Sequence, residues 1–391
     1  MSGIYFHIPF CKQACHYCNF HFSTSLMYKD EMIAAMQKEI ILTKNILTNN
    51  KTSKIIHERE EASEAISTIY FGGGTPSLLS IDEIKKLLET TKEVYNIATD
   101  TEITLEANPD DINENKLSQW NEAGVNRLSI GIQSFNQQDL QWMNRAHNEE
   151  QALQCISMVK KAGFASYSLD LIYGTPTLED DEWKNNVETV IALKVPHVSC
   201  YALTVEPATA LQKMITQKKK KDVDHEAQAR QFSMLMNWMN TAGYEHYEIS
   251  NFALPGYRSR HNSSYWQGKS YIGIGPSAHS YLGNIRRWNV RNNALYIKSL
   301  ENNILPFEKE ELTLTQQLNE YIMTSLRTIE GLDLDFVKEN FGEERTNKLL
   351  EESAKFQKTK KLKDINQNLI LTQEGKLFAD GIAADLFFSP L

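Results

Sequence analysis

No run of about 18 or more uncharged apolar residues occurs in the 391-residue sequence, so no membrane span is expected. The opening residues, MSGIYFHIPFCKQ, lack a basic region, an apolar core and a small-residue cleavage site, so the sequence reads as mature and cytoplasmic. Basic surface is scarce as well. A formal net charge of −9 works against a broad nucleic-acid footprint, which needs a basic face. The one basic run, Lys218 to Lys221, reads as a solvated loop. Five cysteines, an odd number without a secretion signal, speak against a disulfide framework. The signature G-x-G-x-x-G of open dinucleotide-binding sheets is missing from the first strand-to-helix turn. Internal repeats and low-complexity tracts are absent too.

What is present is alternation. Strand-like runs at Ile4–Ile8, Ile66–Phe71, Glu102–Leu105, Arg127–Ile132, Ser166–Ile172 and His197–Ala202 are separated by stretches of helical period. Tyr28–Ile46, Ile81–Tyr95, Asn113–Ala123 and Glu149–Ala162 are examples. Asp82, Asn113 and Asp180 stand where helices begin, and Gly124, Gly163 and Gly243 where they end. Alternation of this kind implies an α/β fold of parallel strands with helical crossovers, and six units suit a partial (β/α)6 barrel. Residues 1–223 are assigned to this core. The segment 48–67 reads as a polar extension, and residues 224–305 as a helix followed by a loop-rich stretch, Tyr244–Trp288, that completes the barrel. Residues 306–391, charged and helical with a short strand and turn at Asn368–Thr372 and Gly375, are expected to form a small domain of winged-helix type.

Three of the cysteines fall within eight residues, Cys11-Lys12-Gln13-Ala14-Cys15-His16-Tyr17-Cys18, directly after the first strand. Thiolates are the soft ligands that iron–sulfur clusters need, and three in one loop can hold three corners of a cubic 4Fe-4S cluster. The fourth iron is then open to a small molecule. The alternative is a structural zinc site completed by His7, His16 or His21, although zinc sites usually pair two short elements separated in sequence. Cys155, in a helical pattern, and Cys200, in an apolar strand, read as packing residues.

The lead-in Tyr5-Phe6-His7-Ile8-Pro9-Phe10, the C-x3-C-x2-C trio and the loop Phe71-Gly72-Gly73-Gly74-Thr75-Pro76 together resemble the radical S-adenosylmethionine (radical SAM) proteins of the coproporphyrinogen-dehydrogenase-like branch. That resemblance implies that the amino and carboxylate groups of SAM chelate the open iron, and that an electron from the cluster cleaves a carbon–sulfur bond to release a 5′-deoxyadenosyl radical. It also implies that Gly73, Gly74 and Thr75 contact the methionine moiety. Glu106, Gln133, Arg145 and Asp170 match SAM-binding positions, and Tyr5, Tyr17 and Ala202 match further family positions. Taken singly, Glu106, Gln133, Arg145 or Asp170 would read as a surface or salt-bridge residue. In barrel architectures such sites lie at the C-terminal strand ends, where most of these residues fall.

Oxygen-independent coproporphyrinogen III dehydrogenases carry a fourth cysteine two residues after the trio, and a long extension before the first strand. Here Phe20 occupies that position and the first strand begins at about Ile4. The sequence instead resembles the HemW family of haem chaperones, through Cys18-Asn19-Phe20 and the complete H-N-x-x-Y-W run His261-Asn262-Ser263-Ser264-Tyr265-Trp266. The resemblance implies that His261, Asn262, Tyr265 and Trp266 contact haem and that haem is passed to an acceptor protein, with peripheral contact to respiratory membrane proteins. Imidazole is a common axial ligand of haem iron, and aromatic rings can pack on the macrocycle. His279, in Gly273-Ile274-Gly275-Pro276-Ser277-Ala278-His279-Ser280, is a second candidate ligand. From the residues alone, His261 equally reads as a turn cap, with Tyr265 and Trp266 plugging a core. Three functions therefore stand side by side: haem chaperone, coproporphyrinogen III dehydrogenase and structural zinc protein.

Overall fold

The structure, a computed structural model, describes residues 3–49 and 65–389. Most of the polar extension read over 48–67 lies outside the described residues. Six parallel strands lie side by side in chain order: β1 (Gly3–Ile8), β2 (Ile66–Gly73), β3 (Ile97–Ala107), β4 (Arg127–Gln133), β5 (Ser166–Tyr173) and β6 (His197–Ala202). Helices Lys29–Asn49, Ile81–Val94, Glu114–Ala123, Glu149–Lys161 and Asp180–Ala192 make the crossovers. Their ends follow local chemistry. Ser80 and Glu83 form a reciprocal capping box at the second helix, Asn113 caps the third, and Gly124 ends it in the left-handed conformation (φ 99°).

The strands alternate in a way that sets the two faces of the sheet apart. Ile4, Phe6, Ile69, Phe71, Leu105, Leu128, Ile130, Leu169, Leu171 and Val198 are buried in the main core with Trp120 and Trp183 of the covering helices. Residues of the opposite parity are Tyr5, Tyr70, Glu106, Ser129, Asp170 and Tyr201. A parallel sheet covered on both faces reads as continuous apolar runs; a polar second face marks an interior left for something other than packing. Residues from β2 through β6 border one cavity. On a flat sheet those two strands would stand about 19 Å apart at about 4.8 Å per strand, so the sheet is curled.

The stretch Tyr244–Trp288 is not the loop-rich region that its composition suggests. It supplies β7 (Glu245–Glu248) and β8 (Asn251–Ala253) beyond β6, and β9 (Tyr271–Ile274), β10 (His279–Leu282) and β11 (Ile285–Asn289) beyond β1, with the helix Arg260–Trp266 between the two groups. These strands are three to five residues long, too short to establish a period. The strand β12 (Phe307–Glu311) pairs antiparallel with β11 and ends the sheet. Among the described residues β7 and β12 do not pair with each other, so the barrel is partial.

The C-terminal part has its own core, including Leu318, Ile322, Phe336, Val337, Leu349 and Leu369. Helices Leu314–Leu326, Leu334–Phe341 and Glu343–Lys358 pack with a small sheet ordered β13 (Leu332–Asp333), β15 (Asn368–Leu371), β14 (Leu362–Ile365). Asn366 and Gln367 turn the β14–β15 hairpin with positive φ, as the twist of a two-residue loop requires. This is the helical, winged-helix-like unit expected from the sequence. No described helix is long and apolar enough to cross a membrane.

Candidate functional site

The cysteine loop is fastened before any metal is considered. Cys11 N–H donates to the Ser23 carbonyl (3.0 Å), His16 N–H to the Met143 carbonyl (3.2 Å), and Asn144 Nδ2 to the Ala14 carbonyl (2.8 Å). Lys12 pairs with Asp110 at 2.6 Å. Arg145 ties loop to barrel: its guanidinium donates to Cys15 Sγ (3.3 Å), Asn108 Oδ1 (2.7 Å) and the Gly131 carbonyl (2.8 Å). Burial pushes the Cys11 thiol up to about 11 and raises that of Cys18, so loading of a metal centre must displace protons from them.

Glycines bring this loop down onto β2. Gly74 N–H donates to the Ile8 carbonyl (2.8 Å) and Thr75 N–H to the Phe10 carbonyl (2.7 Å). A Cβ on Gly74 would meet the Phe10 oxygen at 2.5 Å, and Gly73 has φ 105° with His7 where a Cβ would go. The glycine run is thus required by close approach of the cysteine loop as well as by any ligand. Thr75 Oγ1 donates to Cys11 Sγ at 3.5 Å.

All three cysteines border a cavity of about 380 Å3 at the C-terminal ends of the strands. Tyr17, Gly73, Gly74, Thr75, Glu106, Gln133, Arg145, Asp170 and Ala202 border it too, so nearly the whole set singled out in the sequence is brought together. Tyr5 is the exception. It lies behind the wall, with its hydroxyl 3.3 Å from His7 Nδ1 and its ring stacked on Tyr70 and His261. Gln133 takes φ 67° where the β4–β5 register shifts, a strained conformation for a residue with a side chain and one that gathers at functional sites. Asn108 and Tyr201 also border the cavity and were not singled out. Asn108 Nδ2 donates to Thr75 Oγ1 (3.3 Å) while its oxygen accepts from Arg145. It shares the parity of Glu106, which is the signal that would have found it.

The cavity is electrostatically unfinished. Glu106 is half-buried in the cavity wall and its carboxyl is pushed up to about 8, chiefly by desolvation; Tyr70 Oη donates to it at 2.8 Å. Asp170, half-buried as well, rises to about 6, with Ser129 Oγ donating at 3.3 Å. Burial is the main cause in both, and among the described residues neither is in an ion pair. Two desolvated carboxyls facing one cavity without a bonded cation suit a ligand that is positively charged and rich in donors, as a sulfonium amino acid nucleoside is. The sulfurs suit iron–sulfur chemistry, and no three His, Cys, Asp or Glu side chains among the described residues converge as a single metal ion needs. The residues present therefore fit a cluster and SAM.

The H-N-x-x-Y-W run has a different setting from the one expected of a haem ligand. His261 is 1% exposed. Its Nδ1 is hydrogen-bonded to Thr68 Oγ1 (2.8 Å) and its Nε2 to Tyr265 Oη (2.7 Å), and burial lowers its pKa to about 3. With both nitrogens engaged inside the core, His261 offers nothing to iron in this arrangement. Asn262 N–H is held by the Ser259 cap, and Asn262 borders neither this cavity nor the second one described below. Tyr265 and Trp266 do border that second cavity, together with His279.

The fold and the three-thiol cavity define the class: the chain belongs to the radical SAM superfamily, whose family model matches residues 5–190, and the HemN C-terminal domain model matches residues 312–378. Within that superfamily the chain belongs to the HemW family. It is 33% identical to Heme chaperone HemW of Bacillus subtilis over 88% of this chain and 87% of that one. It is 31% identical to Heme chaperone HemW of Mycobacterium tuberculosis over 98% and 94%. Among solved structures, the coproporphyrinogen III oxidase HemN of Escherichia coli superposes with a TM-score of 0.82 at 22% identity, covering 98% of this chain and 89% of that chain, which speaks for a shared fold.

Proposed function

We propose that the protein is a haem chaperone that binds haem and passes it to an acceptor protein, carrying a 4Fe-4S cluster on Cys11, Cys15 and Cys18 with SAM at the open iron. The observation that carries this reading is the identity to proteins named heme chaperone along almost the full length of both chains. Phe20, 63% exposed beside the cluster loop where the oxidases carry a fourth cysteine, supports it. When bound, the cluster and SAM supply an electron and a cleavable carbon–sulfur bond. The protein's share is placement. Arg145 fixes Cys15 against β3 and β4, Gly73 to Thr75 line the methionine side, and Glu106, Gln133 and Asp170 accept from the ligand's donors. Tyr17 and Ala202 close the cavity walls, while Tyr5 acts from behind by supporting Tyr70.

The division of labour follows: residues 1–223 hold the cofactors, 224–305 complete the barrel and carry the H-N-x-x-Y-W run, and 306–391 form the appended unit. The protein works in the cytoplasm, passes haem to an acceptor protein and makes peripheral contact with respiratory membrane proteins.

The test is haem titration of the anaerobically reconstituted protein beside a protoporphyrinogen assay. One haem per chain and no conversion of coproporphyrinogen III in the presence of SAM and a reductant are expected. Robust turnover would move the reading to the dehydrogenase. Zinc in place of iron and acid-labile sulfide would move it to the structural zinc protein. Cys11→Ser, Cys15→Ser or Cys18→Ser should each abolish the cluster's visible absorption, while Cys155→Ala, in the helical core, should leave it unchanged.

A further inference from the structure

A second cavity, of about 410 Å3, shares no residue with the first. Tyr265 and Trp266 from the H-N-x-x-Y-W helix, Tyr271 and Tyr281 from β9 and β10, and Tyr321 from the helix Leu314–Leu326 border it. Its size is within the range of ligand pockets, and its walls are aromatic. Arg286 and Glu320, also at its border, pair at 2.6 Å, so the charges they bring offset each other. A flat, conjugated and largely apolar ligand is what such walls accept.

One side chain at this border is chemically idle. Seven of the nine described histidines, at positions 7, 16, 21, 147, 197, 246 and 261, have a ring nitrogen hydrogen-bonded to another element or to a residue that fixes it. His225 bonds Gln228 within its own helix. Among the described residues, neither ring nitrogen of His279 has a hydrogen-bond partner; its ring faces Trp288 with centroids 6.4 Å apart. It sits on β10, whose backbone is held by β9 and β11. Partial burial and the nearby Arg286 charge lower its pKa, which keeps the imidazole neutral, the form that binds metal.

We propose that this second cavity is the seat of haem, with His279 as the axial ligand to iron and the tyrosine and tryptophan rings against the macrocycle. The proposal rests on the chaperone reading and gives it a site. Tyr265 and Trp266 then keep the role in haem contact that the family motif implies, while His261 is a positioning residue whose Nε2 holds the Tyr265 hydroxyl. The cavity is open at the rim of the sheet, where an acceptor can reach what it holds.

The test uses cluster-reconstituted full-length protein titrated with iron protoporphyrin IX and, separately, with metal-free protoporphyrin IX. Even outer-shell partners of a metal are worth about 10–100-fold in affinity, so His279→Ala should weaken iron protoporphyrin binding at least about tenfold. It should leave the metal-free porphyrin's affinity and the cluster absorption unchanged. His279→Met should retain haem with a displaced Soret band, because a thioether also ligates iron. Haem binding by the wild type that His279→Ala leaves unaltered in affinity and spectrum would overturn this seat and spare the chaperone reading. Equal losses for both porphyrins would make His279 a packing residue and overturn the ligation. Failure of the wild type to bind haem at all would overturn both.

Discussion

Glu106 shows how one residue can serve a ligand at the expense of the empty protein. Its carboxyl, pushed up to about 8 mainly by burial, stands well above the value of an exposed glutamate, about 4.3. Between those values the folded chain holds a proton that the unfolded chain has released. The stability it contributes is therefore complete below the lower value and is lost as pH rises through the upper one. Glu106→Gln removes that dependence. Thermal melts of cofactor-free protein at pH 8.5 should show the variant at or above the wild type, with a flatter profile from pH 5 upward. Calorimetry should show SAM binding weakened by about tenfold to hundredfold, since one polar partner in a closed site is worth about 1–3 kcal/mol. A variant that binds SAM like the wild type would remove Glu106 from the ligand's contacts. At this scale the cysteine trio was legible because its spacing is chemistry in itself. Asn108 and Tyr201 were not, because their roles depend on strand parity around a curl that the sequence does not display.

The helix Arg260–Trp266 is an element that the sequence leaves with two equal readings. Its first turn is held by Glu102, which accepts from the backbone N–H of Arg260 (3.2 Å) and His261 (3.0 Å). Its interior face inserts His261 against Tyr70, with ring centroids 5.0 Å apart, and against Thr68. An H-N-x-x-Y-W run read as letters suits a ligand and a plug equally, and only burial separates them. His261→Ala leaves a hole and removes the hydrogen bonds that the imidazole makes to the Thr68 and Tyr265 hydroxyls. A loss of about 2–4 kcal/mol of stability is expected by denaturant titration. The Soret band of bound haem should stay in place, because the iron ligand lies elsewhere; a displaced band would restore His261 as that ligand. The six parallel strands were readable for the opposite reason. Each is six or more residues long, whereas β7 to β11 have at most five, are too short to announce themselves and are fixed by pairing with neighbours distant in sequence.

At the scale of the whole molecule, the two cavities are joined by side chains in contact. Glu106 accepts from Tyr70, Tyr70 stacks on His261, His261 is bonded to Tyr265, and Tyr265 packs edge-on against Tyr271 at 4.6 Å in the wall of the second cavity. A cationic ligand in the first cavity favours the ionised form of Glu106, which strengthens its hold on the Tyr70 hydroxyl and tightens this line. Linkage then requires that SAM change the affinity for haem by the same factor that haem changes the affinity for SAM. Contact alone is no proof of coupling, so the decisive variant is one that cuts a single link. Tyr70→Phe removes the hydroxyl that reaches Glu106 and keeps the ring on His261. Titrating haem with and without SAM, and SAM with and without haem, should give one coupling factor of about fivefold or more in the wild type, the lower end of ordinary allosteric coupling. In Tyr70→Phe it should fall toward unity, with the affinity for haem alone preserved. An undiminished factor in that variant would mean that the cavities communicate by another route, with the shared strand β1 and the cysteine loop above it the next place to cut.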